Sequence, residues 1–117
     1  MDSYDRPPGL LFTDRSGTIT AGGAAQWAVP SSNLSRRYFV FQNHSDTDMW
    51  INENIAAVAT QPSIKVAAGG YYEPLVPPVG KISVFCATTG KAFTSRPVSE
   101  RARAQAPSPA TNQLTTK

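Results

Sequence analysis

The chain has 117 residues, 40% of them hydrophobic and 16% charged, with a net charge of +3. That length holds one domain at most, and 10 Pro with 8 Gly argue for many turns and few long helices. One cysteine, Cys86, and one histidine, His44, exclude an internal disulfide and a structural zinc site.

Residues 1–15 have no hydrophobic period and contain a Pro-Pro-Gly break, so they read as an N-terminal arm of net charge −1. Their early acids and prolines do not make a secretory signal. No apolar run approaches the roughly 20 residues that span a bilayer. A soluble protein with no membrane partner is expected.

From Ser16 a series of short strands is predicted. "SGTITA" is Thr/Ile-rich, and "AAQWAV" stops at Pro30. "RRYFVFQN" is the strongest, with Tyr38 and Val40 on one face and Phe39 and Phe41 on the other, as in a strand buried on both sides. The polar "NHSDTD" then reads as a hairpin turn into "DMWIN", because Asn43, Ser45, Asp46 and Asp48 are turn formers. "NIAAVATQ" is too short and too β-branched for a helix. "SIKVA", "GGYYEPLV", "KISVFCA" and "TTGKAFTSR" complete a set of about eight strands of ordinary length. In "KISVFCA", Ile82, Val84 and Cys86 share one face, which makes Cys86 a small buried apolar side chain. The pattern is all-β: an antiparallel β-sandwich or jelly-roll-like barrel over residues 16–95, with Phe39 or Phe41, Ile51, Val66, Val84 and Phe93 in its core. Residues 96–117 are Pro/Ala/Ser/Thr-rich and basic, with net charge +3, and form a C-terminal arm.

No constellation of residues defines a reaction. Asp46 and Asp48 have the first spacing of a calcium loop, but Trp50 and Ile51 occupy the next places that need oxygen ligands or glycine. His44 has no nucleophile motif to serve. The carboxylates Asp46, Asp48, Glu53 and Glu73 lack flanking apolar pockets, and the Gly-rich stretches lack the Lys-Ser/Thr of a phosphate loop. A protein without catalytic residues, metal or cofactor is expected. Two binding surfaces can be drawn instead. Trp27, Trp50, Tyr71 and Tyr72 would make a platform for sugar rings. Arg96, Arg101 and Arg103 have no aromatic residues between them for base stacking, so they fit an acidic protein groove and give no specific nucleic-acid recognition.

The run "SRRYFVFQNHSDTDMWIN…AAVATQPSIKVAAGGYYEP…GKISVFCATTGKAFTSRPV" resembles small virion structural proteins of tailed bacteriophages, over about residues 35–98. The likeness lies in a basic-aromatic strand ending in Gln-Asn, "SDTD" before a "WIN" strand, an "A-x-G-G-x-x-x-E" step, and "ISV…ATTG…FT". It implies a β-sandwich module built into a virus particle, made in the host cytoplasm, with other virion proteins as partners: portal or adaptor, fibre, or capsid. It carries no catalytic or ligand positions. The arms would then be the anchors, with Leu10, Leu11 and Phe12 as an apolar plug and Arg96, Arg101 and Arg103 as its charged counterpart. Long arms at both ends suit a linker between unlike proteins, which favours the tail or fibre-attachment region over capsid decoration or cement. Self-association is expected with either. A carbohydrate-binding module for host attachment is the alternative.

Overall fold

A computed structural model describes residues 9–100. Nine strands run through them: β1 (Leu10–Phe12), β2 (Gly17–Thr18), β3 (Gln26–Val29), β4 (Arg36–Asn43), β5 (Met49–Glu53), β6 (Ile64–Val66), β7 (Tyr71–Tyr72), β8 (Ile82–Cys86) and β9 (Ala92–Glu100). They form two antiparallel sheets, one in the order β1-β9-β4-β7 with β2 also on β9, the other in the order β3-β8-β5-β6. From β2 onward only the β5–β6 connection stays within a sheet; every other step crosses to the opposite one. That alternation is the jelly-roll arrangement, a sandwich with open edges and not a closed barrel.

Period-two alternation explains the core. Phe39 and Phe41 of β4, Met49 and Ile51 of β5, Ile82, Val84 and Cys86 of β8, and Phe93 of β9 are buried between the sheets. The rings of Phe41 and Phe93 stack at 5.3 Å, and Phe39 meets Tyr72 edge-on at 6.5 Å. Each core residue named from the sequence is buried, with both Phe39 and Phe41 inside.

Three local readings change. β4 is buried on one face only, because Tyr38 is exposed and Val40 half-buried on the outer side. "NHSDTD" is a corner between sheets rather than a hairpin. Asn43 builds it: its buried amide donates to the carbonyls of Thr47 (2.7 Å), Val66 (3.0 Å) and Ala67 (3.3 Å), and its Oδ1 accepts from the Ser45 amide and hydroxyl. "GGYYEPLV" is a strand only at Tyr71–Tyr72, since Pro74 cannot continue the ladder.

The sheet also passes both expected limits of the body. β1 pairs with β9 through Leu10↔Glu100, Leu11↔Ser99 and Phe12↔Val98, and β9 continues through Pro97. A proline inside a central strand normally removes a ladder bond. Here Pro97 accepts from the Thr13 amide on its β1 side, at 2.9 Å. The N–H and C=O of a strand residue point the same way, so the missing donor faces the sheet edge and the β4–β9 pairing loses nothing.

Candidate functional site

The two ends of the sandwich differ in chemistry. At one end lie the β2–β3, β4–β5, β6–β7 and β8–β9 connections, built from Gly, Ala, Ser, Thr and Asp apart from Ile19, His44 and Lys91. The other end gathers the β3–β4, β5–β6 and β7–β8 loops together with the start of β1 and the finish of β9. Among its polar loop residues it exposes large apolar side chains: Leu10, Leu11, Leu34 (83%), Ile55, Leu75 (99%) and Val76 (78%).

Arg36 organises this end. Its side chain is buried, and its guanidinium donates to the carbonyls of Pro78 (2.7 Å), Gly80 (2.9 Å) and Ser31 (3.2 Å), while the Asn33 amide donates to Val79 O at 2.7 Å. The β3–β4 and β7–β8 loops are thereby fastened together. Burial pulls the Arg36 pKa below its usual value and the charge of Glu53 opposes that shift; an arginine stays charged regardless. Pro74, Pro77 and Pro78 stiffen the β7–β8 loop, so Leu75 and Val76 are presented on a rigid support.

Leu10, Leu11 and Phe12 lie on β1, an edge strand of the sheet, and all three are more than half exposed. Phe12 meets the expected cation: the Arg96 guanidinium sits 4.1 Å from the centre of its ring. Arg101 and Arg103 lie outside the described residues. Beside this pair on the same outer face, the Tyr38 hydroxyl donates to Glu73 at 2.8 Å, and that bond holds the phenol pKa above its ordinary value.

The four aromatics drawn as a sugar platform fall into three settings. Trp27 and Trp50 share the outer face of the β3-β8-β5-β6 sheet, where Lys81 lies 4.4 Å from the Trp27 ring and Trp50 is half-buried across from Phe85. Tyr71 is exposed on the outer face of the other sheet. Tyr72 turns inward against the core, and burial, then Glu53, raises its pKa. No surface carries all four.

A cleft of about 250 Å³ opens along the β6/β7 side, between the sheets, lined by Ile51, Glu53, Asn54, Pro62, Ile64 and Tyr72. Small-molecule sites usually measure about 300–1,000 Å³, so this one is nearer the size of a protein side chain. Among the described residues no group of three or more His, Cys, Asp or Glu could hold a metal ion. His44 Nε2 lies 2.8 Å from the Thr94 hydroxyl, and Asp46 accepts from Lys91 at 2.8 Å, a bond that lowers its pKa. These contacts tie the β4–β5 corner to β9 and to the turn that precedes it.

The β1 edge was legible as an apolar triplet in an otherwise polar segment. The Leu75–Val76 tip was not, because "YYEPLV" reads as a strand until the effect of Pro74 and the Pro77–Pro78 pair is given full weight. Arg36 as a buried clamp has no signal in the sequence. Comparisons with protein-family models, with curated proteins and with solved structures find no match.

Proposed function

We propose that this chain is a non-enzymatic structural protein of a tailed-phage particle, docking through one end onto neighbouring virion proteins in the tail or fibre-attachment region. The observation that carries the reading is the gathering of exposed apolar side chains, Leu10, Leu11, Leu34, Leu75 and Val76, at the end from which the described chain both enters and leaves the sandwich. Exposed apolar side chains collected at one end of a sandwich, on an edge strand and two loops, are the kind of surface that serves as an interaction site. A rigid support lowers the ordering cost of association, and the Arg36 clamp supplies one. Jelly rolls also serve as viral capsid and lectin domains, which agrees with the reading at the level of fold analogy.

Copy number in purified parent particles, measured by quantitative mass spectrometry against the major shell protein, tests this. A count of about a dozen or a small multiple, as cyclic symmetry at one vertex gives, supports a connector or fibre-attachment part. Hundreds of copies would move the protein to capsid decoration or cement. Absence from the particle would overturn the reading.

A further inference from the structure

The β1-β9-β4-β7 sheet has two open edges that differ in character. On one, β1 presents three exposed apolar residues in a row, with Arg15 and Arg96 nearby against Asp14, while Glu100, the strand partner of Leu10, is engaged by Arg37 at 3.2 Å. On the other, the two-residue β7 borders the cleft, whose apolar surface is Ile51, Ile64 and Tyr72 and whose surroundings carry Glu53 and Glu73. Lys65, the nearest lysine on β6, is engaged by Asp48 at 3.4 Å. The β1 edge is therefore net positive and the β7 edge net negative. Like edges repel and unlike edges attract.

The strand register supplies a second match. Leu11 pairs with Ser99, on the same side of β9 as the inward residues Ser95 and Pro97. Tyr72 pairs with Phe41, which is also inward and faces Ser95. Were β1 of one molecule laid beside β7 of another, continuing the sheet, Leu11 would point between the sheets, beside Tyr72 and Ile64. Leu10 and Phe12 would join Tyr71 on the outer face. A cleft of about 250 Å³ takes a leucine side chain and is small for a drug-sized ligand.

We infer that the chain associates head to tail with further copies of itself, β1 of one molecule adding to the β7 edge of the next and Leu11 entering the Ile51–Ile64–Tyr72 cleft. Added strands contribute main-chain hydrogen bonds, and the pocket for an alternate side chain fixes the register. A head-to-tail contact closes into a ring when its rotation allows, and otherwise propagates. This inference shares Leu10 and Leu11 with the apolar end proposed for docking, but it uses the sheet edges and not the Leu34 and Leu75 loops.

Sedimentation velocity of the full chain, from micromolar to millimolar concentration, is the first test. An increase in weight-average mass toward a multiple of the protomer is expected, reduced in high salt because the charged edges are screened. Two variants identify the contact: Leu11→Glu blocks the knob, Ile64→Glu blocks the cleft, and both positions are about half exposed, so the fold should tolerate them. Each variant alone should be monomeric, while their mixture should give a 1:1 dimer through the one intact knob and intact cleft. Leu11→Ser and Ile64→Ser replace either glutamate variant that fails to fold. A wild-type chain monomeric throughout, variants that associate like wild type, or a mixture with no dimer would overturn the inference. A wild-type monomer that is nonetheless found in particles would leave the virion reading standing.

Discussion

Replacing Asn43 by alanine should be among the most damaging single changes in the molecule. The side chain is fully buried and joins the β4–β5 and β6–β7 connections, which bring the two sheets together at the polar end. Three carbonyls share its two amide hydrogens, so two strong donated bonds are lost, to Thr47 and Val66, together with the two that Oδ1 accepts from Ser45. At about 1 kcal/mol net per bond, with part of the desolvation penalty added for groups left buried, Asn43→Ala should cost ~3–5 kcal/mol. A domain of this size has about 5–15 kcal/mol in total. The melting temperature should fall by roughly 12–40 °C, at about 4–8 °C per kcal/mol. Urea and thermal unfolding followed by tryptophan fluorescence and circular dichroism measure both quantities. Asn43→Asp preserves the shape but sets a carboxylate against the same carbonyls. Its folded pKa should be raised, so this variant should regain stability as pH falls and the carboxyl is protonated. A loss below about 1 kcal/mol for Asn43→Ala, with an unchanged urea slope, would show that Asn43 does not hold the corner and would refute the argument.

Arg36→Met keeps much of the volume but leaves the carbonyls of Pro78 and Gly80 unpaired; it should cost ~2–4 kcal/mol and raise amide hydrogen exchange in the β3–β4 and β7–β8 loops, read by mass spectrometry. Gly22→Ala should cost ~1–3 kcal/mol by denaturant titration, because a Cβ there would lie 2.5 Å from Ala87 O and 2.7 Å from the Thr89 amide. The depressed Asp46 pKa predicts a contribution that is present above the ordinary carboxylate range and lost as pH falls through the folded value. Lys91→Gln should remove that part of the acid dependence of stability, measured as the difference between wild-type and variant melting curves from pH 7 to pH 2. The raised Tyr38 pKa has the opposite sign: its contribution is present below the ordinary phenol value and lost as pH rises through the folded one, so Tyr38→Phe should flatten the alkaline limb of the same profile.

The fold was legible where alternation is strict and both sheets cover the strand. Ile82, Val84 and Cys86 in β8, and Phe39 with Phe41 in β4, are spaced two apart and buried as that spacing demands. Legibility failed where one residue's role depends on distant backbone. Asn43 reads as a turn former, and it is one, but its amide also closes the β6–β7 connection 23 residues away, which no local rule reports. Pro97 argued for a strand end; which side of β9 its nitrogen faces decides the matter, and that is set by pairing with β1. At the candidate surface, Leu10, Leu11, Phe12 and Arg96 were visible as composition, and the Phe12–Arg96 contact follows from antiparallel pairing. Leu75 and Val76 were hidden because apolar residues between prolines look like a strand interrupted rather than a support for exposed side chains.

The place of β9 in the sheet has a consequence for how the protein comes into being. β9 is the strand to which β1, β2 and β4 all pair, yet it follows every one of them in the chain. A ribosome adding about 5–20 residues per second releases β1 several seconds before its partner exists. Until Ala92–Glu100 emerges, the exposed Leu10-Leu11-Phe12 strand and the Phe39/Phe41 face of β4 are unpaired and sticky. Exposed apolar surface of that kind makes the incomplete chain prone to aggregate. A stop codon shortly before Ala92 should yield an aggregating product rather than a slightly smaller sandwich.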